Sequence, residues 1–322
     1  MTTFNQERTY GVEIEVERTA NTTTDRQLVA NIEEQFVNFG QPQASIRFEG
    51  YNHNDNRNDR WKIVPDGSLH NGIEIVSPIL KGYSGKAQIE AVLTGIRNSG
   101  FEVNFRTGLH VHHDARNLTG YQIGAIIGTY TAFQDLIDYA VSPSRRDVSR
   151  SNGNVSHYCG NFSRQMSKLN RNNSTLKSLK NVTASRAKFT ALANEFGSGR
   201  YVNVNFTSIS NHGTLEFRQH QGTLNFTKMW SWIMVTQCIV ESVAQKAVVS
   251  FPQPTATLVA QGKTFPKGTY FRFKRIMQVI PRYNNNDVDA SNEYCQAFRV
   301  FYKNLKKFAN DANVDIKTLG SY

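Results

Sequence analysis

Cysteine is scarce in this sequence, and long apolar runs are absent. The three cysteines, Cys159, Cys238 and Cys295, show no paired spacing, which argues against a disulfide framework and against a cysteine-based zinc site. Apolar stretches such as residues 230–240 fall short of the ~20 residues that span a bilayer. The first residues do not resemble a secretory leader. These features predict a cytoplasmic protein with no membrane partner.

Acidic residues are scarce in two long segments of the chain. Residues 143–190 contain ten Lys or Arg and one acidic residue, and residues 251–322 contain eleven and five. The formal net charge of the 322 residues is +11. Such segments favour an anionic substrate, or a polyanion such as nucleic acid or a cell-wall polymer. Basic surfaces that only aid solubility explain the charge equally well.

Hydrophobic periodicity predicts an α+β fold. Alternation predicts strands at 10–18, 61–64, 72–77, 101–105, 109–114, 201–206 and 214–220, and helical spacing predicts helices at 25–40, 120–141 and 225–248. Because strands and helices do not alternate strictly along the chain, we expect a mostly antiparallel sheet.

The predicted strands carry ionisable side chains on one face. In YGVEIEVER, residues 10–18, three glutamates alternate with apolar residues, so the two sets lie on opposite faces of the strand. The ionisable faces of this strand and of three later ones hold Glu13, Glu15, Glu17, Glu74, His110, His112, Asp114, Glu216, Arg218 and His220. If these strands share a sheet, the ionisable groups converge on one surface.

Stacked carboxylates on a strand repel one another. Neighbours two residues apart lie roughly 6.6 Å apart and repel by roughly 2 to 3 kcal/mol at an effective dielectric near 20. Screening by water and salt is one explanation, and a bound divalent cation is another. Glutamates with an imidazole suit magnesium or manganese. Such a metal beside basic loops predicts a nucleoside triphosphate, although no Walker-type phosphate loop is present.

Several blocks of the sequence, in order, resemble the amidoligase family, whose members are carboxylate–amine ligases with a glutamine synthetase-like fold. They are YGVEIEVE (10–17), DGSLHNGIEIVSPIL (66–80), GLHVHHDA (108–115), PSRRD (143–147) with HYC (157–159), RYVNVNF (200–206) and TLEFRQHQGTLN (214–225). The resemblance implies a curved, mostly antiparallel sheet with helices packed on one face, which binds ATP with two or three ions of Mg²⁺ or Mn²⁺. We assign the catalytic domain to 1–250, with a basic insertion loop at 142–190. The basic, mostly helical extension at 251–322 lies outside the resemblance and is expected to pack on the same domain.

The resemblance also implies roles for individual residues. Glu13, His110 and Glu216 match ligands of the metal nearer the phosphates, and Glu15 and Glu74 match ligands of the metal nearer the acid. Arg218 matches the arginine that steadies the transferred phosphoryl group, Arg145 and Arg146 match residues that bind phosphate or the substrate carboxylate, and Arg200 is a further candidate for nucleotide binding. His112 and Asp66 would lie behind the metal ligands, and His112 is also a candidate for nucleotide binding. Glu17 has no counterpart.

The implied reaction forms an amide from a carboxylic acid and an amine. ATP would convert the acid, a small molecule or a peptide, to an acyl phosphate, and the amine would displace phosphate. Two other interpretations remain open: a metal-dependent nuclease, which also uses carboxylates and histidines around metal ions, and a non-enzymatic protein that binds nucleic acid through its basic segments. The sequence leaves the oligomeric state and the identity of the substrates open.

Overall fold

In the computed structural model, residues 4–50, 59–146, 160, 200–245, 270, 273 and 293–311 are described. Most of the predicted insertion at 142–190, including the HYC block, and much of the predicted extension at 251–322 lie outside these residues. The chain divides into two compact units. The N-terminal unit comprises Asn5–His113 and His220–Trp230, and the second unit comprises Met1–Phe4, Asp114–Gln219 and Ser231–Tyr322.

Five strands pair in the N-terminal unit. They are β1 (Tyr10–Glu17), β2 (Ile46–Phe48), β3 (Trp61–Pro65), β4 (Gly72–Val76) and β5 (Gly108–Asp114). Their order across the sheet is β2-β3-β4-β1-β5. β2 and β3 are parallel, and the other neighbours in this order are antiparallel. Because β1 lies between β4 and β5, its side chains have neighbours on both sides.

One face of this sheet is apolar, as the alternation predicts. Val12, Ile14 and Val16 of β1 are buried, and Ile14 lies opposite Ile75 of β4 and Leu109 of β5. Full burial of such a side chain stabilises the fold by about 1.5–3 kcal/mol. A shift of β1 by one residue would move all of these side chains to the other face, so their burial fixes the register of the strand.

Two helices belong to this unit, and the second of them contacts this apolar face. The helices are α1 (Asp25–Asn38) and α2 (Gly82–Asn98). The Tyr10 hydroxyl donates a hydrogen bond to the carbonyl of Gly82 (3.1 Å), and Trp61 Nε1 donates to Gln88 Oε1 (3.0 Å). These bonds hold α2 on the apolar face of β1 and β3. Within this unit, the ionisable side chains of β1 therefore project from the other face.

The second unit is built mainly from helices. Its elements are α3 (Gly120–Ala132), α4 (Gln134–Asp138), a 3₁₀ turn (Pro143–Arg145), β6 (Val204–Asn205), α5 (Ser208–His212), β7 (Thr214–Gln221), α6 (Phe226–Ala244) and α7 (Glu293–Asp311). The last residues of β7 and the first turn of α6 belong to the N-terminal unit. Thr119 and Gln122 form a capping box that begins α3. β6 and β7 are antiparallel, with Asn205 opposite Glu216.

These elements confirm an α+β fold with mostly antiparallel strands and correct several boundaries. The prediction of a strand at 101–105 is wrong, because only Glu102 forms a bridge there, to Glu17. The predicted helix at 120–141 is interrupted at Phe133 and ends at Asp138. The sequence prediction missed α2 and β2. Within the described part of the chain, no helix has the length and apolar character needed to cross a membrane.

Candidate functional site

The ionisable face of β1 meets ionisable groups on both neighbouring strands. Glu13 lies opposite His110 of β5, and Glu15 lies opposite Glu74 of β4. Directly opposed residues of antiparallel strands project from the same face with Cβ atoms about 5 Å apart. The structure therefore places Glu13 and Glu15 each beside a partner that is more than fifty positions away in the sequence.

Glu13 is held by two histidines. His110 Nδ1 lies 2.8 Å from Glu13 Oε2, and His112 Nε2 lies 3.1 Å from Glu13 Oε1. Burial alone would raise the pKa of the Glu13 carboxyl, but the charge of His112 and the hydrogen bonds from both imidazoles outweigh it, so that the pKa lies well below its usual range. Glu13 is therefore an ionised carboxylate at neutral pH.

Glu15, Glu74 and His110 form a compact set of metal-binding groups. One ligand atom from each lies within 4.8 Å of the other two. Glu15 is buried, and its Oε2 accepts a hydrogen bond from the backbone N–H of Gly108 (2.6 Å). Two carboxylates and an imidazole at this spacing match the donors that Mg²⁺ and Mn²⁺ accept. The chemistry of these donors fits a divalent cation.

His110 lies near a carboxylate through each of its two ring nitrogens. Its Nδ1 contacts Glu13, and its Nε2 lies 3.4 Å from Glu15 Oε1. A neutral imidazole carries one N–H, so it can donate to only one of the two carboxylates, and its other nitrogen then directs a lone pair at a carboxylate oxygen. Protonation of the ring removes this conflict. A metal ion bound to the second nitrogen removes it as well.

A basic cluster on the same face escaped the sequence prediction. Lys62 of β3 lies opposite Val76 of β4, which lies opposite Glu13, so the three share one face of the sheet. Arg47 of β2 lies beside Lys62 and donates two hydrogen bonds to Glu49 Oε1, of 2.9 and 2.7 Å. β2 has three residues, which is too short for an alternation pattern to be recognised.

Two acidic residues near this face make other contacts. Asn104 Nδ2 donates to Glu17 Oε2 (2.6 Å), so the carboxylate of Glu17 is tied to the segment before β5. Asp66 Oδ1 accepts from the Ser68 N–H (2.7 Å), which stabilises the turn between β3 and β4.

In the second unit, Glu216 and Arg218 lie on one face of β7. Both side chains are nearly buried, and Arg218 Nη1 donates a hydrogen bond to Glu216 Oε1. Asn205 Nδ2 donates to Glu216 Oε2 (2.6 Å). Residues two apart on a strand share a face, and this pair therefore places a guanidinium and a carboxylate together, as the alternation in TLEFRQHQ predicts.

The three remaining arginine candidates have different surroundings. Arg145 is buried at the end of the 3₁₀ turn. Arg146 donates to the carbonyl of Asp138 (2.8 Å), and its guanidinium lies over the rings of Tyr139 and Phe308. These contacts join the turn to α4 and α7, which gives Arg146 a structural role as well. Arg200 is exposed and stacks on Tyr201.

A buried polar cluster of the second unit was also missed by sequence reasoning. Gln219 of β7 is fully buried. Its Oε1 accepts from the Tyr130 hydroxyl (2.8 Å) and from Gln134 Nε2 (3.0 Å). Its Nε2 donates to Asp138 Oδ1 (2.5 Å) and to the carbonyl of Arg145 (3.3 Å). One side chain therefore connects α3, α4 and the 3₁₀ turn to β7.

Comparison with known families gives one match over most of the chain. The sequence model of a family described as "putative amidoligase enzyme" matches residues 6–240. This range includes every strand and all of the helices described above except α7 and the last residues of α6. No curated protein matches the chain.

Proposed function

The chain belongs to the amidoligase family, and we propose that it is an ATP-dependent carboxylate–amine ligase with a glutamine synthetase-like sheet. Its substrates would be a carboxylic acid and an amine, and its product an amide. The observation that best supports this function is the set formed by Glu15, Glu74 and His110, whose ligand atoms lie within 4.8 Å of one another. A ligase that uses ATP needs a divalent metal ion, and this set of ligand atoms is suited to bind one.

The carboxylates of the N-terminal unit would bind the metal ions of a metal–ATP complex. Glu15, Glu74 and His110 would hold one Mg²⁺ or Mn²⁺, and Glu13 would contribute to a second. A bound divalent ion neutralises charge on the phosphates and on the acid that attacks them. His112 would orient Glu13 through the 3.1 Å contact between their side chains. Burial of Glu15 restricts the access of water to its own carboxylate.

The second unit would contribute groups to phosphoryl transfer. On the family resemblance, Glu216 is a further metal ligand, and Arg218 donates hydrogen bonds to the transferred phosphoryl group. The Asn205 and Arg218 side chains hold the Glu216 carboxylate in one orientation, which is the preorganisation that such a ligand needs. Arg145, Arg146 and Arg200 are assigned to phosphate or substrate binding on the resemblance alone.

Release of ADP and phosphate tests this function. In the presence of Mg²⁺ and a panel of acids and amines, a ligase releases ADP and phosphate over repeated turnovers only when both an acid and an amine are present. When the acid carries ¹⁸O in its carboxylate, an acyl-phosphate route transfers one ¹⁸O atom to the phosphate released, because the carboxylate oxygen attacks phosphorus and leaves with it. Glu15→Gln should abolish turnover, and Glu90→Gln, on α2, should preserve it.

Other results would support the other interpretations. Metal-dependent cleavage of nucleic acid without ATP consumption would indicate a nuclease. Salt-sensitive binding of nucleic acid without either reaction would indicate a binding protein. If an ¹⁸O-labelled acid forms the amide but the phosphate released carries no ¹⁸O, the acyl-phosphate step is refuted. The ligase assignment would remain in place.

A further inference from the structure

Helix α7 carries a row of cations on its exposed side. Arg299, Lys303, Lys306 and Lys307 are all exposed, and we call these four residues the basic stripe. At about 100° and 1.5 Å per residue, they lie within an arc of about 100° around the helix axis and along about 12 Å of its length. α7 lies beyond the residues that match the family model, so membership of the family does not account for the stripe.

The basic stripe keeps its positive charge. Within the part of the chain that the structure describes, none of its four residues forms an ion pair with a carboxylate. The acidic residues of α7 are Glu293 and Asp311, one at each end. Both lie about 120° around the helix axis from Arg299, outside the arc of the stripe. The stripe therefore presents four unit charges of one sign to the solvent.

The opposite side of α7 is packed in the second unit. Tyr294, Phe298, Phe301 and Leu305 of this side are buried, and the Tyr294 hydroxyl donates a hydrogen bond to Gln237 Oε1 of α6 (2.6 Å). These contacts hold the helix, and with it the stripe, in one position. A helix that binds a membrane surface inserts its apolar side among the lipids. In α7 that side is already used within the protein, which argues against a membrane partner.

We propose that the basic stripe is a docking surface for nucleic acid and binds the phosphates of a double helix. Duplex DNA carries one negative charge per about 1.7 Å of its axis, so about 12 Å of duplex offers about seven phosphates to four cations. A rigid row of cations suits a rigid, densely charged partner, because neither loses much conformational freedom on binding. Contacts from Lys and Arg to phosphates carry no sequence information, so binding should not depend on the DNA sequence. This inference is independent of the proposed ligase function.

Fluorescence anisotropy with a labelled DNA duplex of about 20 base pairs measures this binding on the full chain, at salt concentrations between about 50 and 200 mM. The stripe variant combines three substitutions, Lys303→Gln, Lys306→Gln and Lys307→Gln. At about 50 mM salt it should bind the duplex at least tenfold more weakly than the wild-type chain. The slope of log affinity against log salt should become shallower by about 2.7, since each lost phosphate contact removes about 0.9. Gln resembles Lys in helix propensity, so α7 should remain folded.

A control of equal charge removes three exposed cations of the N-terminal unit by Arg26→Gln, Lys81→Gln and Lys228→Gln. Its affinity should stay within about threefold of the wild-type value, because charges that touch no phosphate are screened over about 10 Å. The same titrations with poly-glutamate and with vesicles that contain phosphatidylserine test two other polyanionic partners.

The pattern of losses decides between these partners. Loss of DNA binding in the stripe variant alone supports the proposal. Unchanged affinity of the stripe variant, equal losses in both variants, or failure of the wild-type chain to bind the duplex at about 50 mM salt overturns it. If poly-glutamate or the vesicles bind as tightly as the duplex, with the same dependence on the stripe, nucleic acid is refuted as the partner. If circular dichroism shows that the stripe variant has lost helix, the pair Lys303→Gln and Lys307→Gln is measured against the same criteria.

Discussion

Replacing Glu74 by Gln should make the metal-free protein more stable and reduce the stabilisation that Mn²⁺ binding adds. Glu74 lies directly opposite Glu15, and their Cβ atoms are therefore about 5 Å apart. Two full charges at this distance repel by about 3 kcal/mol at an effective dielectric near 20. Because Glu74 is half-buried, solvent screening reduces this repulsion to about 1–2 kcal/mol.

Weaker metal binding changes the stability of the variant in the opposite direction. At a Mn²⁺ concentration of about 100 times Kd, the ion stabilises the wild-type protein by about 2.7 kcal/mol. If Glu74→Gln weakens Mn²⁺ binding tenfold, the same concentration stabilises the variant by only about 1.4 kcal/mol. Each kcal/mol corresponds to a shift in Tm of about 2–4 °C. The variant should therefore unfold at a higher temperature than the wild type without metal and respond about half as strongly to Mn²⁺.

Thermal unfolding with and without Mn²⁺ measures both terms. Glu90→Gln is a suitable control, because Glu90 is also half-buried and lies on α2, which packs on the apolar face. Glu90→Gln should not raise the Tm of the metal-free protein, and it should not change the rise in Tm that Mn²⁺ causes. The reasoning is refuted if Glu74→Gln lowers the metal-free Tm by several degrees, or if it retains the full wild-type response to Mn²⁺.

Two further predictions concern the backbone and a buried thiol. Gly100→Ala should destabilise the protein more than Gly40→Ala in chemical denaturation: both glycines have a positive φ, but a Cβ at Gly100 would lie 2.5 Å from the Asn21 carbonyl oxygen, whereas a Cβ at Gly40 meets nothing within 4 Å. Equal losses would contradict this steric argument. Burial raises the pKa of the Cys238 thiol well above its usual value, so at neutral pH the thiolate that iodoacetamide attacks should be nearly absent. Mass spectrometry should find Cys238 unmodified in the native protein and modified in denaturant, and rapid native labelling would contradict its burial.

Sequence patterns predicted an element correctly where its local chemistry and its burial agree. The alternation of β1 predicts its burial because Val12, Ile14 and Val16 each lie opposite an apolar residue of an adjacent strand. Thr119 predicts the start of α3 because its hydroxyl satisfies a free backbone N–H there. The same alternation along paired strands places the candidates on one face of the sheet. These candidates are Glu13, Glu15, Glu74 and His110.

Sequence patterns failed where tertiary contacts decide. α2 includes Gly82, Gly85 and Gly95, which lower helix propensity, yet the helix forms because small residues permit close approach: a Cβ at Gly95 would lie 2.6 Å from a side-chain atom of Ile32. The segment 101–105 alternates like a strand, but its backbone forms hydrogen bonds to β1 only at Glu102. Lys62 was missed because a single lysine in an apolar strand carries no pattern of its own.

The hydrogen bonds of Gln219 have a consequence for how the second unit opens. Exchange of a backbone amide with deuterium requires its hydrogen bond to break. Because the Gln219 side chain bonds at once to Tyr130, Gln134, Asp138 and the Arg145 carbonyl, separation of α3 or α4 from β7 leaves buried polar groups without partners, each at a cost of about 1–3 kcal/mol. The amides of these three elements should therefore exchange as one cooperative group, with a common opening free energy.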